Sequence, residues 1–267
     1  MPPTGRRLQQ PEDAVPLAEA VKRGDRRALA RAITLIESTR DDHRATANEL
    51  LEQLMPHSGK SMRLGISGAP GVGKSTFIEA LGNHVIDQGH RVAVLTVDPS
   101  SAISGGSILG DKTRMETLSR RREAYIRPSP AGRVLGGVAR RSREALLLCE
   151  AAGFDVIIVE TVGVGQVEVE VAGKADTTVV VVNPGWGDSV QANKAGLMEI
   201  ADVFVINKAD RKGVEETSRD LMQMLDLSDL PHDSWRPPIV PTVASTGEGV
   251  PELWEAVLAH RAYAEQS

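Results

Sequence analysis

The sequence predicts an α/β fold: a parallel sheet covered by helices on both faces, with a helical appendage at its N-terminal side. Three observations carry that expectation. From Met62 onward short β-branched runs alternate with helical segments; Thr177 to Asn183 holds four consecutive valines, and Asp155 to Glu160 reads Asp-Val-Ile-Ile-Val-Glu. Near-continuous apolar strands between helices belong to sheets buried on both faces. A Gly-rich nonapeptide, Gly68-Ala69-Pro70-Gly71-Val72-Gly73-Lys74-Ser75-Thr76, stands between the apolar run Met62 to Ser67 and the helical run Phe77 to Leu81. Finally, the polar motifs fall at the carboxyl ends of expected strands, where parallel sheets gather their ligands.

Taken in order, Met1 to Pro16 is Pro-rich and polar and is expected to be disordered. Leu17 to Arg23 forms a short helix. Asp25 caps a second, in which Leu29, Ile33 and Ile36 share one face. Asp41 or Asp42 starts a third, with Ala47, Leu50, Leu51 and Leu54 inward, and Pro56-His57-Ser58-Gly59 breaks it. Residues 1–60 thus read as a tail and helical appendage, a scaffold or a partner-docking surface, and residues 61–267 as the main domain. After the nonapeptide the helix ends at Gln88-Gly89-His90, where Gly89 suits the position beyond the cap. Further strands are expected at Arg91–Val97, Asp155–Glu160, Thr177–Asn183, Val203–Asn207 and Pro238–Val243, and Pro251–Ala264 closes the chain as a helix.

Composition narrows the function classes. The 267 residues carry a net charge of −5, near balance, so no nucleic-acid surface is implied. The single cysteine, Cys149, rules out a disulfide framework or a Cys-rich metal site and sits in an apolar helical run suited to core packing. No apolar stretch approaches the ~20 residues of a membrane span, and Met1 to Gln10 lacks a secretory apolar segment, so the expected location is cytoplasmic. Aromatics are only 3%, so Val, Ile, Leu and Ala must build the core.

The nonapeptide fits G-x-x-x-x-G-K-[ST], the phosphate loop of P-loop NTPases. Backbone N–H groups and the dipole of the following helix cradle an anion there. In this pattern Lys74 reaches the β- and γ-phosphates and Ser75 offers its hydroxyl to magnesium. Asn207-Lys208-Ala209-Asp210 follows the strand ending at Asn207, and in GTPases this tetrapeptide reads guanine. The Asp210 carboxylate accepts from the base N1–H and exocyclic amine; adenine lacks that donor pair and would leave the carboxylate unpaired. The Lys208 stem packs over the ring and Asn207 tethers the loop. Val243-Ala244-Ser245 resembles the last GTPase element, whose backbone N–H meets guanine O6. GTP and GDP are therefore expected over ATP.

Asp98 and Glu160 end two strands, where carboxylates can hold magnesium through water. Gly163 in Glu160-Thr161-Val162-Gly163 can present its N–H to the γ-phosphate. The residue after it is Val164, not the water-orienting glutamine of Ras-like enzymes, so slow intrinsic hydrolysis is expected unless a partner or a conformational change supplies the missing group. Two Gly-rich segments read as mobile. Ser104 to Met115 contains Asp111, which can add a carboxylate near magnesium; Asn183 to Gly196 contains Asp188 and Lys194, charges able to pair differently in different nucleotide states. Gly132 to Arg140 is a third such turn, with Arg133 and Arg140 as phosphate or partner contacts.

The set GAPGVGKST, VDPSS with GGSILGDKTRM, ETVGVGQ, GWGDSVQANKAG and NKAD resembles the methylmalonyl-CoA mutase-associated GTPase family, formerly labelled as arginine/ornithine transport kinases. The resemblance covers most of Ala14 to Ala264 and implies a metallochaperone-type (SIMIBI-class) P-loop GTPase, homodimeric, using GTP and Mg2+. It implies that the protein guards adenosylcobalamin loading and protects an adenosylcobalamin-dependent acyl-CoA mutase. It also makes Gly185 to Gly196 an extra switch, with Asp188 and Lys194 as coupling residues acting beside Lys74 and Glu160 in catalysis. The family continues into a C-terminal dimerisation arm, whereas this sequence stops at Ser267, so the arm is expected to be missing or truncated. Two competing readings are a nickel-delivery maturation GTPase, for which one cysteine and six scattered histidines offer poor ligands, and a transport-protein kinase, for which no residue marks an acceptor. A nucleotide-sensing module without turnover is a third.

Overall fold

The computed structural model describes residues 13–38, 40–98, 115–130, 135–161, 175–185, 199–228 and 234–266. The chain divides into two compact units, Met1–Lys60 with Arg140–Phe154, and Ser61–Ala139 with Asp155–Ser267.

The first unit contains helices α1 (Ala14–Lys22), α2 (Arg26–Glu37) and α3 (Asp41–Leu54). α1 begins before the expected Leu17, inside the stretch expected to be disordered. The Asp25 carboxylate accepts from Arg27 N (2.8 Å) and Ala28 N (3.1 Å), satisfying two amides that no helical carbonyl can reach. The amides of Ala28 and Arg27 hold that carboxyl below its ordinary value. α3 starts at Asp41, as expected; its N-cap is Arg40, without a side-chain cap, and Asp41 and Asp42 lie in the first turn. There they favour the positive end of the helix dipole without satisfying an amide. Leu17, Val21, Leu29, Ile33, Leu50 and Leu54 form the buried interior, while Leu51 stays half-exposed.

The second unit is built on a seven-stranded sheet in which every pairing is parallel, ordered β3-β2-β4-β1-β5-β6-β7. The strands are β1 (Met62–Ser67), β2 (Val92–Asp98), β3 (Ala124–Pro130), β4 (Val156–Thr161), β5 (Thr177–Val182), β6 (Val203–Asn207) and β7 (Ile239–Thr242). Helices α4 (Lys74–Asp87), α5 (Glu116–Arg120), α7 (Val214–Leu227) and α8 (Val250–Ala264) belong to this unit, and α6 (Leu135–Ala151) runs through both. Alternate residues face opposite layers. Val179, Val181, Val203 and Val205 join Phe77, Leu81, Leu253 and Trp254 in one core, and Val180, Val182, Phe204 and Ile206 join Leu221 and Leu225 in the other. Two buried faces require apolar side chains at consecutive positions, which is why β5 reads as an unbroken valine run.

β3 is a strand that the sequence pattern does not announce. Its residues Ala-Tyr-Ile-Arg-Pro-Ser-Pro include two prolines, which cannot donate to a ladder on both sides. It lies at the sheet edge, where only one side is paired and proline is tolerated. Among the described residues no helix is long and apolar enough to cross a membrane.

The amino-terminal edge of the sheet is held by three aspartates, each just ahead of or at the start of a strand. Asp155 accepts from Arg91 N (2.6 Å), Asp176 from Arg63 N (2.7 Å) and Asp202 from Thr178 N (2.7 Å). Each spans one strand pair, β2–β4, β1–β5 and β5–β6. Asp202 also meets His260 Nε2 at 3.2 Å, and His260 Nδ1 lies 2.8 Å from Thr177 Oγ1, which is fully buried. The imidazole thereby ties α8 to two strand starts. His260→Ala leaves the Thr177 hydroxyl without this partner and should lower unfolding stability by ~2 kcal/mol. Because this edge is opposite the nonapeptide, GTP affinity should stay within about twofold of wild type, a change of less than ~0.5 kcal/mol. Denaturant melts and nucleotide titrations of the variant check both halves.

Candidate functional site

The nonapeptide leaves the carboxyl end of β1, the central strand, and enters α4. Two glycines make its path possible. Gly68 has φ +152°, and a Cβ there would stand 2.4 Å from Val181 O on neighbouring β5. Gly73 has φ +93° at the N-cap of α4, and a Cβ there would stand 2.7 Å from Asn207 Nδ2. Both contacts are closer than any side chain tolerates, so the loop passes flush against β5 and the β6 end only because those positions are bare. Lys74 is 7% exposed, and its ammonium donates to Gly68 O (2.6 Å) and Ala69 O (3.2 Å), folding the side chain back over the turn. Ser75 is half-buried in the first turn of α4, with Thr76 exposed beside it. Pro70 and Gly71 are exposed at the crest of the loop.

Asn207 joins this loop to the ends of β6 and β7. Its Nδ2 donates to Val72 O (2.9 Å), and its Oδ1 accepts from Ala244 N (3.2 Å) and Thr242 Oγ1 (3.3 Å). Asn207 is buried, so these bonds are shielded from competing water. Lys208 crosses to the same loop, with Nζ donating to Gly71 O at 2.8 Å. Its φ is +59°, the one positive value for a non-glycine residue among the described residues. Such strain persists where surrounding bonds over-determine the backbone; here Ala209 N donates to Thr242 O and Arg211 N to Lys208 O, both at 3.0 Å. The turn leaves Asp210 exposed, free to meet a ligand. Val243 and Ala244 are buried, and Ser245 is exposed at the start of a turn closed by Thr246 N and Gly247 N on Val243 O.

Glu160 is buried near the end of β4, in register with Ile66 of β1 and Thr96 of β2. Asp98 closes β2, its backbone in register with Pro130. The phosphate loop, the Asn207–Asp210 turn and Val243–Ser245 are thus assembled around one end of the sheet, with Glu160 on the strand beside β1. Asp111, Gly163, Val164, Asp188 and Lys194 lie outside the described residues, as do Arg133 and most of the Gly-rich segments that carry them.

Three further polar residues belong to this end. Thr242 supports Asn207 as described. Ser67 Oγ and Asn183 Oδ1, at the ends of β1 and β5, are buried atoms with no hydrogen-bond partner among the described residues. Buried orphan polar atoms mark places that a bound polar group or water completes. Their signal in sequence was position alone: each is the polar residue that ends an apolar strand.

The donors fit a nucleotide and a hard divalent cation. Among the described residues no cluster of three or more His, Cys, Asp or Glu could enclose a metal unaided. Magnesium rarely needs one, because it keeps several waters and takes one or two protein oxygens together with substrate phosphates. The Ser75 hydroxyl and the Glu160 carboxylate are oxygen groups of the kind such an ion takes.

A family model described as "Methylmalonyl Co-A mutase-associated GTPase MeaB" matches residues 29–267. The chain is 48% identical over 250 residues to GTPase ArgK of Escherichia coli, covering 91% of this chain and 75% of that protein. It is 46% identical over 248 residues to the Mus musculus protein named methylmalonic aciduria type A homolog, mitochondrial, covering 88% of this chain and 60% of that one. A crystal structure titled LAO/AO transport system kinase superposes with a TM-score of 0.78 at 38% identity, covering 93% of this chain and 75% of the other. The phosphate-loop sequence, its tether to the Asn207–Asp210 turn and these likenesses agree, and the chain belongs to the methylmalonyl-CoA mutase-associated GTPase family as a P-loop enzyme that binds and hydrolyses GTP.

Proposed function

We propose that this GTPase gates the loading of adenosylcobalamin into, and protects, an adenosylcobalamin-dependent acyl-CoA mutase such as methylmalonyl-CoA mutase. The observation that carries the nucleotide side of this reading is Asn207. One buried amide binds the phosphate loop, the base-reading turn and the Ala244 segment together, so base and phosphates are engaged as one unit. The partner side rests on the family description and on the name of the mouse relative.

In this reading Lys74 exchanges its bonds to Gly68 O and Ala69 O for β- and γ-phosphate oxygens. Backbone N–H groups of Gly71 to Thr76 surround the phosphates, and the Gly163 N–H meets the γ-phosphate. Asp210 accepts from guanine N1–H and the exocyclic amine, Lys208 covers the ring, and the Val243–Ser245 backbone meets O6. Ser75, Asp98, Asp111 and Glu160 would hold Mg2+, directly or through water, and the ion would neutralise phosphate charge. With Val164 where Ras-like enzymes carry glutamine, basal hydrolysis is slow, and the working species is a homodimer whose turnover the mutase stimulates.

Asp188 and Lys194 are the coupling residues of this proposal. A cation brought to the developing phosphate charge is worth roughly 10³-fold or more in rate. Lys194→Ala should therefore collapse the ratio of mutase-stimulated to basal hydrolysis towards unity. Single-turnover rates with both proteins at saturating nucleotide, and a separate check that the mutase still binds, measure that ratio. A Lys194→Ala protein stimulated as strongly as wild type would remove this loop from the coupling path.

A further inference from the structure

Residues 22–31 read Lys-Arg-Gly-Asp-Arg-Arg-Ala-Leu-Ala-Arg, five basic residues against one acid in a chain of net charge −5. They span the turn from α1 into α2. Arg23, Arg26, Arg27 and Arg31 are all exposed, while Leu29, Ile33 and Ile36 bury the other face of α2. Apolar packing on one side leaves the arginines only the outward side. Arg27 and Arg31 stand one turn apart, about 6 Å along the axis, with Arg26 beside them.

Folding does not ask for this arrangement. Arg26 and Arg27 occupy the first turn of α2, which holds no acid, so their charges oppose the helix dipole. α3, α7 and α8 each place acids in that turn instead. The nearby acids are already engaged: Glu19 pairs with Lys22, and Asp25 accepts from the Arg27 and Ala28 amides. Both carboxyls are held below their ordinary values. For Glu19 the cause is the Lys22 hydrogen bond, then the charges of Lys22, Arg23 and His57; for Asp25 it is the Ala28 and Arg27 amides, then the charges of Arg31 and Arg27. The local field is therefore positive. No ion pair joins Arg23 or Arg27 to another described residue.

Exposed arginines carried against the dipole of their own helix fit carboxylates supplied from outside. The guanidinium fork takes a carboxylate through two parallel hydrogen bonds, a geometry that lysine lacks. A nucleic acid or an anionic membrane would also meet the negative charge of the rest of the chain, whereas a protein partner needs only a matched local patch. We propose that the arginine face opened by Arg23 and Arg27 is the docking surface for the mutase, engaging a cluster of Asp and Glu side chains on it. The inference rests on the reading of this GTPase as one that serves such a mutase.

The test is binding of the full chain to purified methylmalonyl-CoA mutase from its own host, measured over a range of salt concentrations. Wild type should bind more weakly as salt rises and screens the pairing. Arg23→Glu combined with Arg27→Glu sets like charges against each other and should lower affinity by about 10²-fold or more. Glutamate suits the first turn of α2, so this variant should melt no lower than wild type. Arg23→Gln combined with Arg27→Gln should lose about tenfold and flatten the salt dependence, and covers the case of a reversal that does not fold. Arg219→Glu, a reversal on the exposed side of α7, should bind within about twofold of wild type. Basal GTP hydrolysis should be unchanged in all of them. A folded Glu or Gln pair with wild-type affinity and salt dependence overturns the proposal. So does an equal loss in Arg219→Glu, which reports net charge rather than docking, or a pair that keeps the mutase but loses retention on anionic phospholipid vesicles or single-stranded RNA. A wild type that does not bind the mutase would instead overturn the functional reading, and this inference with it.

Discussion

Lys74→Ala should abolish nearly all GTP turnover while leaving the protein folded. The side chain is buried, and its ammonium donates to the carbonyls of Gly68 and Ala69 in its own loop. Its place is therefore over the turn, not inside either apolar core. Removing a preorganised donor aimed at transferring charge costs on the order of 10²–10³ in kcat. Phosphate release at saturating Mg-GTP measures the loss, and circular dichroism establishes that secondary structure is retained. A folded Lys74→Ala enzyme with wild-type turnover would place phosphate binding elsewhere.

Asp210→Asn should exchange guanine for xanthine. The turn that carries Asp210 is fixed by Ala209 N on Thr242 O and by Lys208 Nζ on Gly71 O, so the substituted amide occupies the same place. An asparagine presents a carbonyl and an amine where two acceptors stood. The amine opposes the guanine exocyclic amine and suits the xanthine carbonyl in its stead. A site built to satisfy one hydrogen-bond pattern rejects the other by about 10²-fold or more. Calorimetric titrations with GDP and xanthosine diphosphate should reverse their order between wild type and variant; an unchanged order would remove Asp210 from base recognition.

The parts of the fold that were legible in the sequence are those governed by local chemistry. The nonapeptide announces a tight, anion-binding turn because Gly68 and Gly73 are demanded by backbone contacts at 2.4 and 2.7 Å. β5 announces a twice-buried strand because four adjacent valines have no solvent face to offer. The Asp25 cap follows from a carboxylate one residue before a helical pattern. What was not legible depends on partners distant in sequence. β3 hides behind Pro128 and Pro130, which only an edge position makes tolerable. The aspartates of the amino edge reach amides 24 to 113 residues away and carry no local mark. Nor does Arg140–Phe154 announce that it belongs with the N-terminal helices rather than with the sheet. The candidate site divides in the same way: Lys74 and Asn207 stand in recognisable strings, whereas the support that Thr242 gives Asn207 emerges only when the chain is folded.

The most direct test of the account is GTP turnover by the purified protein with and without an adenosylcobalamin-dependent acyl-CoA mutase, at saturating nucleotide and Mg2+. The account predicts slow hydrolysis alone, a rise of at least about tenfold with the mutase, and no comparable response when ATP replaces GTP. Equal rates with and without a mutase that binds the protein, or an ATP response as large as that to GTP, would contradict it.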